Sequence, residues 1–168
     1  MSVLSKSLVK ALCVCLLFSS AAYADVKAGD RFDDWVYECD AESFKEEVCA
    51  LTHTLMDEEG KNRIIKLTLG RLGKQGELAL VALVPLGIYL PGGIIGTVDT
   101  GQPFSFTLRT CTELGCEGVV MVDQKLRWKL KAGKTLAIKF MARPRSEAIM
   151  LPVSLNGLSA GLEVLDKE

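Results

Sequence analysis

Apolar and polar residues alternate with a period of two along most of this chain. Trp35, Tyr37 and Cys39 fall on one face of a segment running from Phe32 to Cys39. Cys49, Leu51, His53 and Leu55 do the same between Val48 and Met56, and Ile65, Leu67 and Leu69 alternate with Lys66 and Thr68. Successive strand residues point to opposite faces, so each run predicts a half-buried β-strand. Leu78 to Val84 is apolar at every position, which predicts a central strand that Pro85 ends. Further strands are predicted over Ile94 to Val98, at Phe104, Phe106 and Leu108, over Gly118 to Val122, at Leu136, Ile138 and Phe140, and at Ile149, Leu151, Val153 and Leu155. Pro152 cannot donate to a ladder, which assigns the last of these to a sheet edge.

The period changes twice. Leu126 and Leu130 stand four apart, with Trp128 between them and Lys125, Arg127, Lys129 and Lys131 around them. This predicts a helix of about two turns, capped by Asp123 and stopped by Gly133. Gly157 to Leu165 predicts a second short helix. Turns are expected at Asp40 to Glu47, Asp57 to Asn62, Gly70 to Gly76, Asp99 to Pro103 and Arg143 to Ser146, where charge, glycine or proline collects. About nine short strands at nearly regular spacing predict a mainly β, single-domain antiparallel β-sandwich or partly closed barrel with one or two short helices. No 3.6-period segment is long enough for an α/β fold.

The start of the chain breaks this picture. Lys6 and Lys10 precede an apolar run, Ala11 to Ser20, and Ala22-Tyr23-Ala24 supplies a small-x-small cleavage pattern. The run falls short of the roughly 20 apolar residues that span a bilayer. Residues 1–24 are therefore expected to be a cleaved signal peptide, with residues 25–168 as the single mature domain. Cleavage removes two of 20 basic side chains and none of the 21 acidic ones. The resulting acidic balance, with no basic stripe carrying aromatics, gives no reason to expect nucleic acid as a partner. No transmembrane span is expected in the mature chain. The expected location is the periplasm or cell envelope.

Four cysteines survive cleavage: Cys39, Cys49, Cys111 and Cys116. An even number in an exported chain points to disulfides. Three connectivities are possible, and the sequence leaves them open. Local pairing, Cys39 with Cys49 and Cys111 with Cys116, is favoured because each pair flanks one turn-like segment. Thioredoxin-like redox motifs put two residues between the cysteines, whereas Cys111 and Cys116 have four, so a structural staple is the better reading. The spacing also argues against a zinc site.

No catalytic constellation emerges. His53 is the only histidine, it shares a face with Leu51 and Leu55, and no Gly-x-Ser-x-Gly elbow accompanies it. A partly buried strand histidine is the simpler account. Asp33 and Asp34 are neighbours that point apart, and Glu58 and Glu59 sit in a charged turn, so neither pair forms a glycosidase-like couple. Gly92-Gly93-Ile94-Ile95-Gly96 lacks the Lys-Ser/Thr ending of a phosphate loop. The cations around Leu126 and Leu130 suit a solvated helix face, with an anionic lipid or acidic partner as the competing reading. No cofactor and no metal are expected.

The most unusual turn is Pro85 to Gly93, PLGIYLPGG, an apolar loop in a chain whose other turns are charged. Loops lie on the surface, and apolar ones mark interaction sites. The partner-binding candidates are Tyr89, Ile88 and Leu90, with Tyr89 as the anchor because aromatic residues dominate binding hot spots. The alternation of Leu86, Ile88 and Leu90 also describes a strand that caps the core, and alternation favours that strand. In both readings Tyr89 lies opposite Ile88 and Leu90.

Several pieces in order resemble the invasion-associated locus B family of bacterial exported proteins. They are Asp34-Trp35 followed by Cys39, Cys49-x-Leu51, Pro85-Leu86-Gly87-Ile88-Tyr89-Leu90, Asp99, Cys111 with Gly115-Cys116, and Ser154-Leu155-Asn156-Gly157-Leu158. Gly118 stands where the family commonly has alanine, and Leu158 where phenylalanine is common. The resemblance implies a β-rich envelope protein without established catalytic residues, named for a member linked to host-cell entry. It occurs widely in bacteria that invade nothing. Taken together, the expected function is non-enzymatic: an exported envelope or periplasmic protein that binds a protein or envelope component, with a possible tie to host-cell invasion. The alternative is a periplasmic hydrolase whose carboxylates the fold assembles.

Overall fold

The structure, a computed structural model, describes residues 26–40, 48–73 and 76–167. The expected signal peptide, residues 1–24, and the charged turn at 41–47 lie outside the described residues. Among these, ten strands and two helices follow one another as β1 Arg31–Phe32, β2 Trp35–Asp40, β3 Val48–Met56, β4 Arg63–Leu72, β5 Glu77–Val84, β6 Ile94–Val98, β7 Phe104–Thr112, β8 Gly115–Met121, α1 Gln124–Ala132, β9 Thr135–Met141, β10 Ala148–Ser154 and α2 Leu158–Leu165. The strands form one open antiparallel sheet in the order β1-β2-β3-β4-β5-β8-β7-β6-β9-β10. The fold is thus the mainly β, sandwich-like architecture expected from the period-two pattern.

The sheet folds over on itself at β7. The C-terminal part of that strand pairs with β8, from Thr107↔Val119 to Thr112↔Gly115, with a register shift between Leu108 and Thr110. Its N-terminal part pairs with β6, at Phe104↔Gly96 and Phe106↔Ile94. A bulge lets one strand bend and serve two layers. Trp35, Leu51, Ile65, Leu67, Leu69 and Leu80 from the first layer then meet Ile94, Leu136, Ile138 and Val153 from the second in one core.

The outer edges are managed by side chains. Leu155 N donates to Lys134 O at 3.0 Å. Odd-numbered residues therefore turn their backbone groups toward β9, and Pro152 and Ser154 turn theirs outward. Pro152 has no N–H to offer a further strand. The Ser154 carbonyl accepts a 3.0 Å hydrogen bond from the Trp35 indole Nε1, which ties β2 to the far edge of the same sheet.

Both helices follow their sequence signals. The Asp123 carboxylate accepts from Leu126 N at 2.7 Å, and Gly133 closes α1. Leu126 and Leu130 are buried beneath it. Helix α2 buries Leu158, Leu162 and Leu165 completely. Each such leucine stabilises the fold by about 1.5–3 kcal/mol.

Three expectations need correction. The strand predicted from Phe32 to Cys39 is broken by a two-residue turn in which Asp33 has φ 50°, so Phe32 pairs with Trp35. Ile149 is exposed although it fits the alternation: it stands on the outermost strand, one place outside its buried ladder partner Phe140. The third correction concerns the Pro85–Gly93 loop, described below.

Candidate functional site

The Pro85–Gly93 loop is not a strand. It carries the chain out of β5 and into β6, which β8 and β7 separate in sheet order, and so crosses from one layer to the other. Leu86 and Gly87 form a turn, for which Gly87 adopts φ 87°. That left-handed residue breaks the alternation that favours a strand. Ile88 then drops into the core with 9% exposure, while Leu86 and Leu90 stand out at 55% and 49%. Ile88 is thus a support beneath the loop and not a contact residue, and it does not share a face with Leu90. Leu86 takes its place at the surface.

Tyr89 is half-buried. Its N–H donates to Met141 O at 2.7 Å, which fastens the loop to the end of β9. A short 3₁₀ turn, Leu90–Gly92, follows, closed by Gly92 N to Tyr89 O and Gly93 N to Leu90 O, both 2.9 Å. A Cβ at Gly92 would sit 2.6 Å from the Met141 methyl and 3.2 Å from Tyr89 Cδ1. The bare glycine therefore lets the Tyr89 ring and Met141 close around the turn. The result is a braced loop that projects two leucines.

Neighbouring turns join it. Val84 pairs with Cys116, which places the β7–β8 hairpin beside the start of the loop. Leu114 at its tip is 67% exposed, and its carbonyl accepts from Arg63 Nη2 at 2.6 Å. Sequence reasoning passed over Leu86 and Leu114. Their signal is an apolar residue directly before the glycine of a turn.

The four cysteines act as staples. Cys39 is bonded to Cys49, and Cys111 to Cys116; each pair lies directly across two antiparallel strands, with Cα–Cα separations of 4.0 and 3.9 Å. Cys111 is exposed and Cys116 buried.

His53 lies edge-on to Trp35 with ring centroids 5.6 Å apart, and its buried Nδ1 has no hydrogen-bond partner from any other described residue. Burial pushes its pKa below the ordinary histidine value; Asp34 and a backbone hydrogen bond oppose the shift, and Arg31 adds to it. The folded state therefore prefers neutral His53, and the unfolded chain binds more protons around the ordinary histidine pKa. Stability is expected to be full above that value and to decline as pH falls from about 7.5 to 5.5. Urea midpoints across that range should show the decline in the native chain and a flatter profile in His53→Leu. An equal slope in both would contradict the assignment.

A cavity of about 640 Å³ lies on the outer face of β2 to β5, with Ala50, Gly70, Ala79 and Val81 along its floor and Glu38, Asp40 and Lys66 at its rim. Glu38 is held by Lys66 at 2.7 Å. On α1, Arg127 pairs with Asp166 and Lys131 with Glu163, so two of the four helix cations serve the α1–α2 contact. Among the described residues no group of three His, Cys, Asp or Glu side chains is arranged to hold a metal.

A family model described as Invasion associated locus B (IalB) protein matches residues 35–166. The crystal structure of invasion associated protein b from Bartonella henselae is similar to this chain with a TM-score of 0.72 and 24% identity, over 82% of this chain and 94% of that one. That likeness speaks to the fold. No curated protein matches the chain.

Proposed function

The chain belongs to the invasion-associated locus B family, and from that premise we propose that it is an exported, non-enzymatic envelope or periplasmic protein that binds a protein or envelope component through the Pro85–Gly93 loop. The observation that carries this is the loop itself: Leu86 and Leu90 are held outward by a turn fastened at Tyr89 to β9. Exposed apolar side chains on a braced loop lose little entropy on binding, which favours recognition. Two cross-strand disulfides suit an oxidising compartment. No helix among the described residues is long and apolar enough to cross a membrane. The hydrolase alternative asks for two close free carboxylates in a cleft, and at the rim of the 640 Å³ cavity Glu38 is already engaged by Lys66. A role in host-cell entry belongs to the same proposal only if the protein reaches the outside of intact cells.

Crosslinking in the periplasm followed by capture of the tagged chain tests this reading. Leu90→Asp and Tyr89→Ala should each lose most of the crosslinked partner while keeping the thermal midpoint, and the intact mass should begin at Asp25. Undiminished capture in both variants, or a captured chain that still starts at Met1, would count against it.

A further inference from the structure

The loop and the β9–β10 hairpin form one corner of the molecule, since Tyr89 N is bonded to Met141 O and the Met141 methyl packs beside Gly92. We propose that this corner docks on an anionic phospholipid surface, an inference that rests on the loop being the interaction site and names its partner's chemistry.

The corner combines apolar tips with free positive charge. Leu86, Leu90 and Met150 are exposed at 55%, 49% and 61%. Arg143 and Arg145 occupy the hairpin turn, both exposed, and neither forms an ion pair among the described residues. The turn is rigid: Ser146 Oγ donates to Arg143 O at 2.9 Å, Arg143 N donates back to Ser146 Oγ at 3.3 Å, and Arg145 sits at φ 59°. Lys139 lies opposite Met150 on the outward side of the ladder, because the adjacent Phe140 points into the core. Glu147 is the one acid of the hairpin. The hairpin itself therefore carries an excess of positive charge, on a chain of net charge −1.

Leucine and methionine tips can enter the boundary between headgroups and acyl chains while arginines bind lipid phosphates. The same surface is poorly suited to a second copy. A two-fold contact would bring like arginines together, and the acidic loop between β3 and β4, at the same end of the fold but in the other layer, holds two of its three carboxylates in local bonds. Asp57 accepts from Lys61 N at 2.8 Å and from Asn62 Nδ2 at 2.7 Å, and Glu59 pairs with Lys61.

The test is co-sedimentation of the mature chain with vesicles of phosphatidylcholine, with and without phosphatidylglycerol. Each cation near an anionic surface strengthens binding about fivefold. Binding should therefore appear on the phosphatidylglycerol vesicles, weaken with salt, and fall about 25-fold in Arg143→Gln/Arg145→Gln. Leu90→Asp should weaken it as well, with the circular dichroism spectrum unchanged. Equal binding to both vesicle types, no binding, or undiminished binding by the arginine variant would overturn the proposal. So would a concentration-dependent dimer lost in the same variants without any vesicle binding. If vesicles fail while Leu90→Asp still abolishes capture of a crosslinked protein, the lipid assignment falls and the loop reading stands; if neither responds, both fall.

Discussion

Trp35→Ala is expected to lower unfolding free energy by about 3–5 kcal/mol, the range for removing a large buried aromatic side chain. Trp35 is fully buried in the core. Its indole also donates to Ser154 O, 119 residues away in sequence, and its ring meets His53 edge-on. Truncation would open a cavity and leave the outward carbonyl of the edge strand without its donor. Domains of this size are stable by about 5–15 kcal/mol, so the loss would take a large share. Trp35→Phe separates the two contributions. It keeps most of the apolar volume and removes the hydrogen bond, whose net value is about 0.5–1.5 kcal/mol. Urea titrations of the three chains would measure both steps. A Trp35→Ala cost below about 1 kcal/mol would mean that the Trp35–Ser154 contact does not join the sheet edges as described.

Why could the sequence announce Trp35 as a core residue but not its partner? Burial is written locally, because every second residue of a strand faces the same way. Trp35, Leu51, Leu67 and Ile138 were legible for that reason, as was α1, whose cap at Asp123 and leucines four apart are local signals. Pairing across the sheet is not local. The order β5-β8-β7-β6 and the sharing of β7 between layers depend on contacts far apart in the chain, which no window of sequence displays. The two disulfide pairs lie between these cases, since each closes a short hairpin.

The site shows the same division. The apolar character of Pro85–Gly93 is visible in its letters, but the fate of each side chain is not. Leu86, Ile88 and Leu90 have the same chemistry and alternate regularly. The left-handed turn at Gly87 breaks their register, so that Ile88 is buried and the two leucines are exposed. Arg143 and Arg145 read in sequence as part of an ordinary turn. Their meaning depends on the Tyr89–Met141 bond, which brings that turn beside the loop.

Gly157→Ala should destabilise the fold on the scale of Trp35→Ala. Gly157 stands at the N-cap of α2 with φ 83°, where an L-residue costs roughly 1–2 kcal/mol. Space is the second problem. A Cβ there would run into the Phe32 carbonyl and lie 3.0 Å from Asp33 Cβ. Backbone at the β1–β2 turn cannot step aside without moving the hairpin that positions Trp35. The two costs are separable. Gly29 also has positive φ, at 96°, but a Cβ there would meet nothing within 4 Å. Gly29→Ala should therefore carry the conformational cost alone, on the order of 1 kcal/mol. Gly157→Ala should carry that cost plus an overpacking penalty, about 3 kcal/mol or more in total. Because α2 docks on β1, β2 and β3, the extra loss should appear as one cooperative shift of the urea midpoint. Comparable midpoints for Gly157→Ala and Gly29→Ala would show that α2 does not rest on the Phe32 carbonyl.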